Sequence, residues 1–185
     1  MTSLAAKNIA ILAADGFDEH QVTEIQRALV KARANVRIVA SEAGVVNGWQ
    51  GDSWGHHFHV DSPMGETLGS DFDMLIVPGG MRGMTKLKQN LHAKRILNHF
   101  VEAKKPVAMI GAGVGLLALG DKVSGRLVAA PVEVQSELKG AGVVIGEDAQ
   151  EIDGNLLTSN GEDLSAWVDE VIEFFSDAEL VKKAA

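Results

Sequence analysis

Residues Asn8 to Ala14 form an unbroken apolar run that stops at Asp15-Gly16, the pattern of a strand buried on both faces and ended by a turn. From Glu19 to Ala34 the period changes. Val22, Ile25, Leu29 and Val30 recur at helical spacing with charges between them, which predicts an amphipathic helix lying on a sheet. Val36 to Ala40 is apolar again, so the opening segment reads as a strand-helix-strand unit with parallel strands and a right-handed crossover. Met74 to Val77 and Pro106 to Ile110 are two further buried strands. The first runs into Pro78-Gly79-Gly80 and a helix from about Asn90 to Lys104; the second runs into Gly111-Ala112-Gly113 and a helix-like stretch from Val114 to Leu119. Arg126 to Ala130, Val143 to Ile145 and Leu156 to Ser159 are short, turn-bounded strands, and Leu164 to Phe175 closes the chain as a helix.

This alternation predicts an α/β fold with a flavodoxin-like, doubly wound, mostly parallel sheet and helices on both faces. At 185 residues and 46% hydrophobic, the chain is expected to form one domain spanning 1–185, with a hairpin or irregular excursion over about 44–69. In such a fold ligands sit at the carboxyl ends of strands, which directs attention to Asp15–Gln21, Pro78–Gly80 and Gly111–Val114.

Composition narrows the chemistry. The 25 acidic and 17 basic residues give a net charge of −8, which disfavours a nucleic-acid partner. With no cysteine, disulfides, thiolate metal sites and thiol nucleophiles are all excluded. No signal-like start and no membrane-spanning apolar run is present, so a soluble cytoplasmic protein without membrane contact is expected.

The segments Gly16-Phe17-Asp18-Glu19-His20-Gln21, Pro78-Gly79-Gly80 and Ala108-Met109-Ile110-Gly111-Ala112-Gly113-Val114, with Leu157-Thr158-Ser159 and a closing helix bearing Leu164, Trp167, Val171 and Phe174, resemble the DJ-1/PfpI (ThiJ) superfamily in order and spacing. The superfamily is class I glutamine amidotransferase-like in fold. The resemblance implies a cysteine nucleophile at the strand-to-helix elbow, and that position is Gly111 here. The acid it implies on the first helix falls on Gln21, and the histidine falls on Ala112 or on Ala130 before Pro131. A glycine cannot attack and an amide cannot shuttle a proton, so the three reactive functions of the family are missing together.

Several residues retain other possibilities. Gly79, Gly80, Gly111 and Ala112 are candidate ligand contacts through backbone N–H groups beside a helix start, suited to an anion or a carbonyl oxygen, although a close-packed turn explains the same glycines. Glu19 and His20 form the evident acid-base pair near the expected pocket; capping and solvation of the first helical turn is the competing explanation. His57 and His59, which converge on one face of a strand, are weak metal candidates with His56 and Asp52 nearby, but no regularly spaced fourth ligand accompanies them, and neither metal nor cofactor is expected. Trp49 and Trp54 read as a local mini-core or a partner surface. The residues thus lead to a non-catalytic family member that binds a small ligand or a protein, with a stress-related or chaperone-like role and homo-oligomeric assembly implied by the resemblance. Two alternatives stay open: a cysteine-independent hydrolase or glyoxalase-like enzyme with a re-invented site, and a structural domain like the carboxy-terminal domain of large catalases.

Overall fold

The computed structural model describes residues 3–184. Strand β1 (Asn8–Ala13) leads through the short β2 (Phe17–Asp18) into helix α1 (Glu19–Lys31) and β3 (Asn35–Ala40). A hairpin of β4 (Gly44–Gln50) and β5 (Ser53–Val60) follows, then β6 (Ser62–Pro63), two single 3-10 turns, β7 (Met74–Val77), α2 (Met81–Lys88), α3 (Leu91–Glu102) and β8 (Val107–Ile110). After β8 come a 3-10 helix (Gly111–Leu119), β9 (Leu127–Val128), α4 (Val132–Gly140), β10 (Val144–Ile145), β11 (Gln150–Asp153), β12 (Leu156–Ser159) and α5 (Leu164–Ala184).

The main sheet has seven strands in the order β11-β12-β8-β7-β1-β3-β6. Its long parallel strands, β3, β1, β7, β8 and β12, stand in the order 2-1-3-4-5 of a flavodoxin-like fold, and the edge strand β11 pairs antiparallel with β12. The chain reverses direction across the sheet between β1 and β7, so the crevice above their carboxyl ends is where this topology places a ligand.

The period of two along β1 builds both cores. Ile9, Ile11 and Ala13 join Val22, Ile25 and Leu29 of α1 and Trp167, Val171 and Phe175 of α5 on one face. Ala10, Leu12 and Ala14 join α3 through Ile96, Leu97 and Phe100, and α4 through Val134 and Leu138, on the other. Val30, placed on the apolar stripe of α1 by its spacing, is 60% exposed, because Val22, Ile25 and Leu29 already fill the narrow contact line.

Three local differences from the sequence reading have physical causes. Helix α2 is short, and only Gly83, Met84 and Leu87 are buried, so it leaves little periodic signal. Helix α4 likewise buries only Val134 and Leu138. The stretch after β8 winds as a 3-10 helix: Gly111, Gly113 and Gly115 weaken α propensity, and a Cβ on Gly113 would lie 2.4 Å from the Pro78 carbonyl oxygen, so the segment is drawn against the β7 loop.

The excursion after β3 holds the antiparallel β4–β5 hairpin, joined to the core by Phe58 against Phe17 at 5.1 Å. Trp49 and Trp54 face each other across it, T-shaped at 5.2 Å, and the Arg82 guanidinium of α2 lies 4.1 Å from the Trp49 ring.

Candidate functional site

The turn after β8 is built as an elbow. Gly111 has φ +57, a conformation that costs an L-residue roughly 1–2 kcal/mol and glycine little. A Cβ built there meets only Gln21 Nε2, at 3.6 Å, and the Gly79 Cα, at 3.9 Å, so the space for a side chain is kept. Gly161 closes the other side, where its own Cβ would lie 3.4 Å from the Gly111 Cα, and the Gly161 N–H donates to Ser159 Oγ at 3.1 Å.

Helix α1 is stitched to the loop after β7 directly below this elbow. The Asp18 side chain caps the helix by accepting from the Gln21 N–H at 3.0 Å, and the Asp18 N–H donates to the Gly79 carbonyl at 2.9 Å. The Gly79 N–H in turn donates to Gln21 Oε1 at 2.7 Å, which fixes which end of that amide is oxygen and leaves Nε2 as a donor beside Gly111. Gly80 has φ +99, and a Cβ on it would sit 2.6 Å from the Asp18 nitrogen; glycine is what lets the loops after β1 and β7 approach this closely. Ala112 is buried, and so is Ala130, whose carbonyl accepts from Gln135 Nε2 at 2.9 Å.

A cavity of about 710 Å³ opens next to the elbow, between the start of α1, the tip of the β4–β5 hairpin and the loop before α5. Gln21 and Gly161 are the residues it shares with the elbow; Trp49, Phe58 and Leu164 supply apolar wall, and Glu19, His20, Gln50 and His56 supply polar groups. Gly79, Gly80, Gly111 and Ala112 lie behind Gln21 and Gly161 and do not border it.

Glu19 is the unusual group in this wall, a carboxylate only 5% exposed. Its oxygens accept from Gln50 Nε2 at 2.7 Å, from the His56 backbone N–H at 2.7 Å and from His56 Nδ1 at 2.5 Å. Burial alone would raise its pKa, but the hydrogen bonds from His56 and Gln50, with the charge of His56, outweigh that and hold it below its ordinary value. The hairpin is shaped around it: a Cβ on Gly48 would come within 2.5 Å of Glu19 Oε2, and one on Gly55 within 1.8 Å.

The structure therefore joins Glu19 to His56, while the neighbouring His20 is exposed and shares no side-chain hydrogen bond with Glu19 among the described residues. His57 and His59 point to the opposite face of β5 from His56 and Phe58, and His57 Nδ1 is bonded to Asn47 Oδ1. Among the described residues no group of three or more His, Asp or Glu side chains is gathered to hold a metal ion. Strand alternation sets His56 on the same face as Phe58, but its pairing with Glu19 has no signal in the sequence, since it forms only where the hairpin folds over the start of α1. Among the described residues no helix is long and apolar enough to cross a membrane.

Known proteins are similar to this chain in sequence and in fold. A deglycase from Thermococcus kodakarensis is 28% identical over 166 residues, covering 89% of this chain and 97% of the deglycase. The ThiJ/PfpI domain protein of Brachyspira murdochii superposes with a TM-score of 0.84 at 19% identity, over 94% of this chain and 98% of that one. DJ-1 of Schizosaccharomyces pombe gives 0.78 at 18% identity, over 90% of each chain. The DJ-1/PfpI family profile matches residues 7–174. With that match and the 2-1-3-4-5 sheet carrying its elbow at Gly111, the chain belongs to the DJ-1/PfpI family as a member without cysteine.

Proposed function

We propose that this chain has lost the covalent chemistry of the DJ-1/PfpI elbow and works by holding a small ligand non-covalently in the neighbouring cavity. The observation that carries this reading is the pairing of Gly111 with Gln21: the turn keeps its φ of +57 and its side-chain space, while the residue facing it is an amide held by the Gly79 N–H. Such an elbow offers no nucleophile of its own. The walls of the cavity beside it suit a small flat molecule carrying a carbonyl or carboxylate, since Trp49 and Phe58 offer aromatic surface and the Gln21 amide is at its border. We read the deglycase activity named for the thermococcal relative as absent from this chain.

Homo-oligomeric assembly, a cytoplasmic site of action and a part in stress protection belong to the same reading and are expected from the family resemblance. The experiment is methylglyoxal consumption by the wild type beside Gly111→Val. No consumption above buffer by either supports the reading; consumption that Gly111→Val abolishes overturns it and places a cysteine-independent reaction at the elbow.

A further inference from the structure

Glu19 and His56 make an arrangement that anchoring the hairpin does not require. The Gln50 side chain and the His56 backbone N–H already secure the carboxylate, yet the His56 imidazole is held on it as well, at 2.5 Å, with 79% of its side chain exposed. In the neutral imidazole, donation to the ionised carboxylate places the hydrogen on Nδ1 and leaves the lone pair on Nε2. His56 borders the cavity together with Phe58, which the period of two sets on the same face of β5. Gln21 borders it too, and its Nε2, beside the Gly111 elbow, has no hydrogen-bond partner among the described residues.

We infer that His56, oriented by Glu19, is a general base that activates water against a small aryl ester lodged in this cavity. His56 Nε2 takes a proton from water as the water oxygen bonds to the acyl carbon. The bond between the acyl carbon and the aryloxy oxygen then breaks, and the imidazolium returns its proton to that leaving oxygen. The products are a carboxylic acid and a phenol, with His56 restored. Trp49 and Phe58 supply the aromatic wall for the aryl group, and Gln21 Nε2 is the donor for the carbonyl oxygen. His56 is the catalytic residue and Glu19 the positioning residue. The inference rests on the cavity being the ligand site.

The test uses the full chain with 4-nitrophenyl acetate as substrate and 4-nitroacetanilide, its amide counterpart, as a binding probe read by quenching of tryptophan fluorescence. Wild type should hydrolyse the ester without a nitrophenolate burst, more slowly in D2O, and with a rate that rises as an imidazole loses its proton. The other titratable groups bordering the cavity are Asp18 and His20 of α1, so the limb belongs to His56 only if His56→Gln removes it. His56→Gln should lower the rate about 100-fold, the usual contribution of a positioned base. Glu19→Gln should lower it and shift the limb, with its fold checked by circular dichroism, and His57→Gln, on the opposite face, should leave the rate unchanged. Binding of the amide without ester turnover, a rate indifferent to His56→Gln, or a burst that signals acylation of the protein would each overturn the inference while leaving the ligand site in place. Failure of the amide to bind would overturn the ligand site as well.

Discussion

Gln21 and Gly111 face each other at the elbow with 3.6 Å between the amide nitrogen and the position a Cβ would take, and among the described residues, chain neighbours apart, the Gly79 Cα alone also lies within 4 Å of that position. The elbow thus has the volume for a side chain and lacks only the side chain. Gly111→Ala should destabilise the fold by about 1–2 kcal/mol, through its φ rather than through a clash. Gly113→Ala, whose Cβ would fall 2.4 Å from the Pro78 carbonyl oxygen, should cost more, since backbone must move. Urea unfolding of the two variants beside wild type checks the order.

Because the elbow is preserved, a thiol placed on it should be reactive. In Gly111→Cys the sulfur would lie beside Gln21 Nε2 at the start of the Gly111–Leu119 helix, an environment that favours thiolate over thiol. Alkylation by iodoacetamide should follow an apparent pKa below the ~8.5 of a free cysteine. A value at or above that would show that the elbow no longer provides a thiolate environment.

The hairpin is coupled to Glu19 by shape. Gly55→Ala would place a methyl group 1.8 Å from Glu19 Oε2 and should lower stability by about 1–3 kcal/mol. Combining it with Glu19→Ala should cost less than the sum of the two single changes, because the clash and the hydrogen bonds vanish together. Additive thermal shifts would contradict the coupling.

Acid should weaken the fold in two steps. Burial, then the Lys105 ammonium 3.1 Å from its Nε2, push the pKa of His99 below 6.5 in the folded state, so the unfolded chain takes up that proton first and stability falls as pH drops below 6.5. The folded pKa of Glu19 lies below 4.5, so its contribution is complete above 4.5 and is lost as pH falls through the lower folded value. Asp153 shares this lower window, held down first by the Leu127 N–H and also by Arg126. Thermal midpoints across pH should show His99→Gln removing the upper step and Glu19→Gln shrinking the lower one.

The sheet was legible in the chain because its strands are buried on both faces and read as unbroken apolar runs, from Asn8–Ala13 to Leu156–Ser159. Helices α2 and α4 were not, since each commits only two or three positions to the core. At the site, the degenerate elbow at Gly111 and Gln21 was visible in the order of the motifs. The Glu19–His56 pair was not, because 37 residues separate the two and only the folding of the hairpin over α1 joins them. His20, next in sequence to Glu19, points to solvent instead.

A ligand held in the cavity beside the silent elbow must perturb the groups that border it. Heteronuclear NMR titration of the ¹⁵N-labelled protein with small aryl carboxylates and aryl ketones reads those groups one by one. Saturable shifts are expected of the Trp49 indole N–H, the Gln21 side-chain amide and the Gly161 backbone N–H, with His57 and His59 unmoved. Saturable shifts confined to other surfaces, or none at all, would contradict the ligand site.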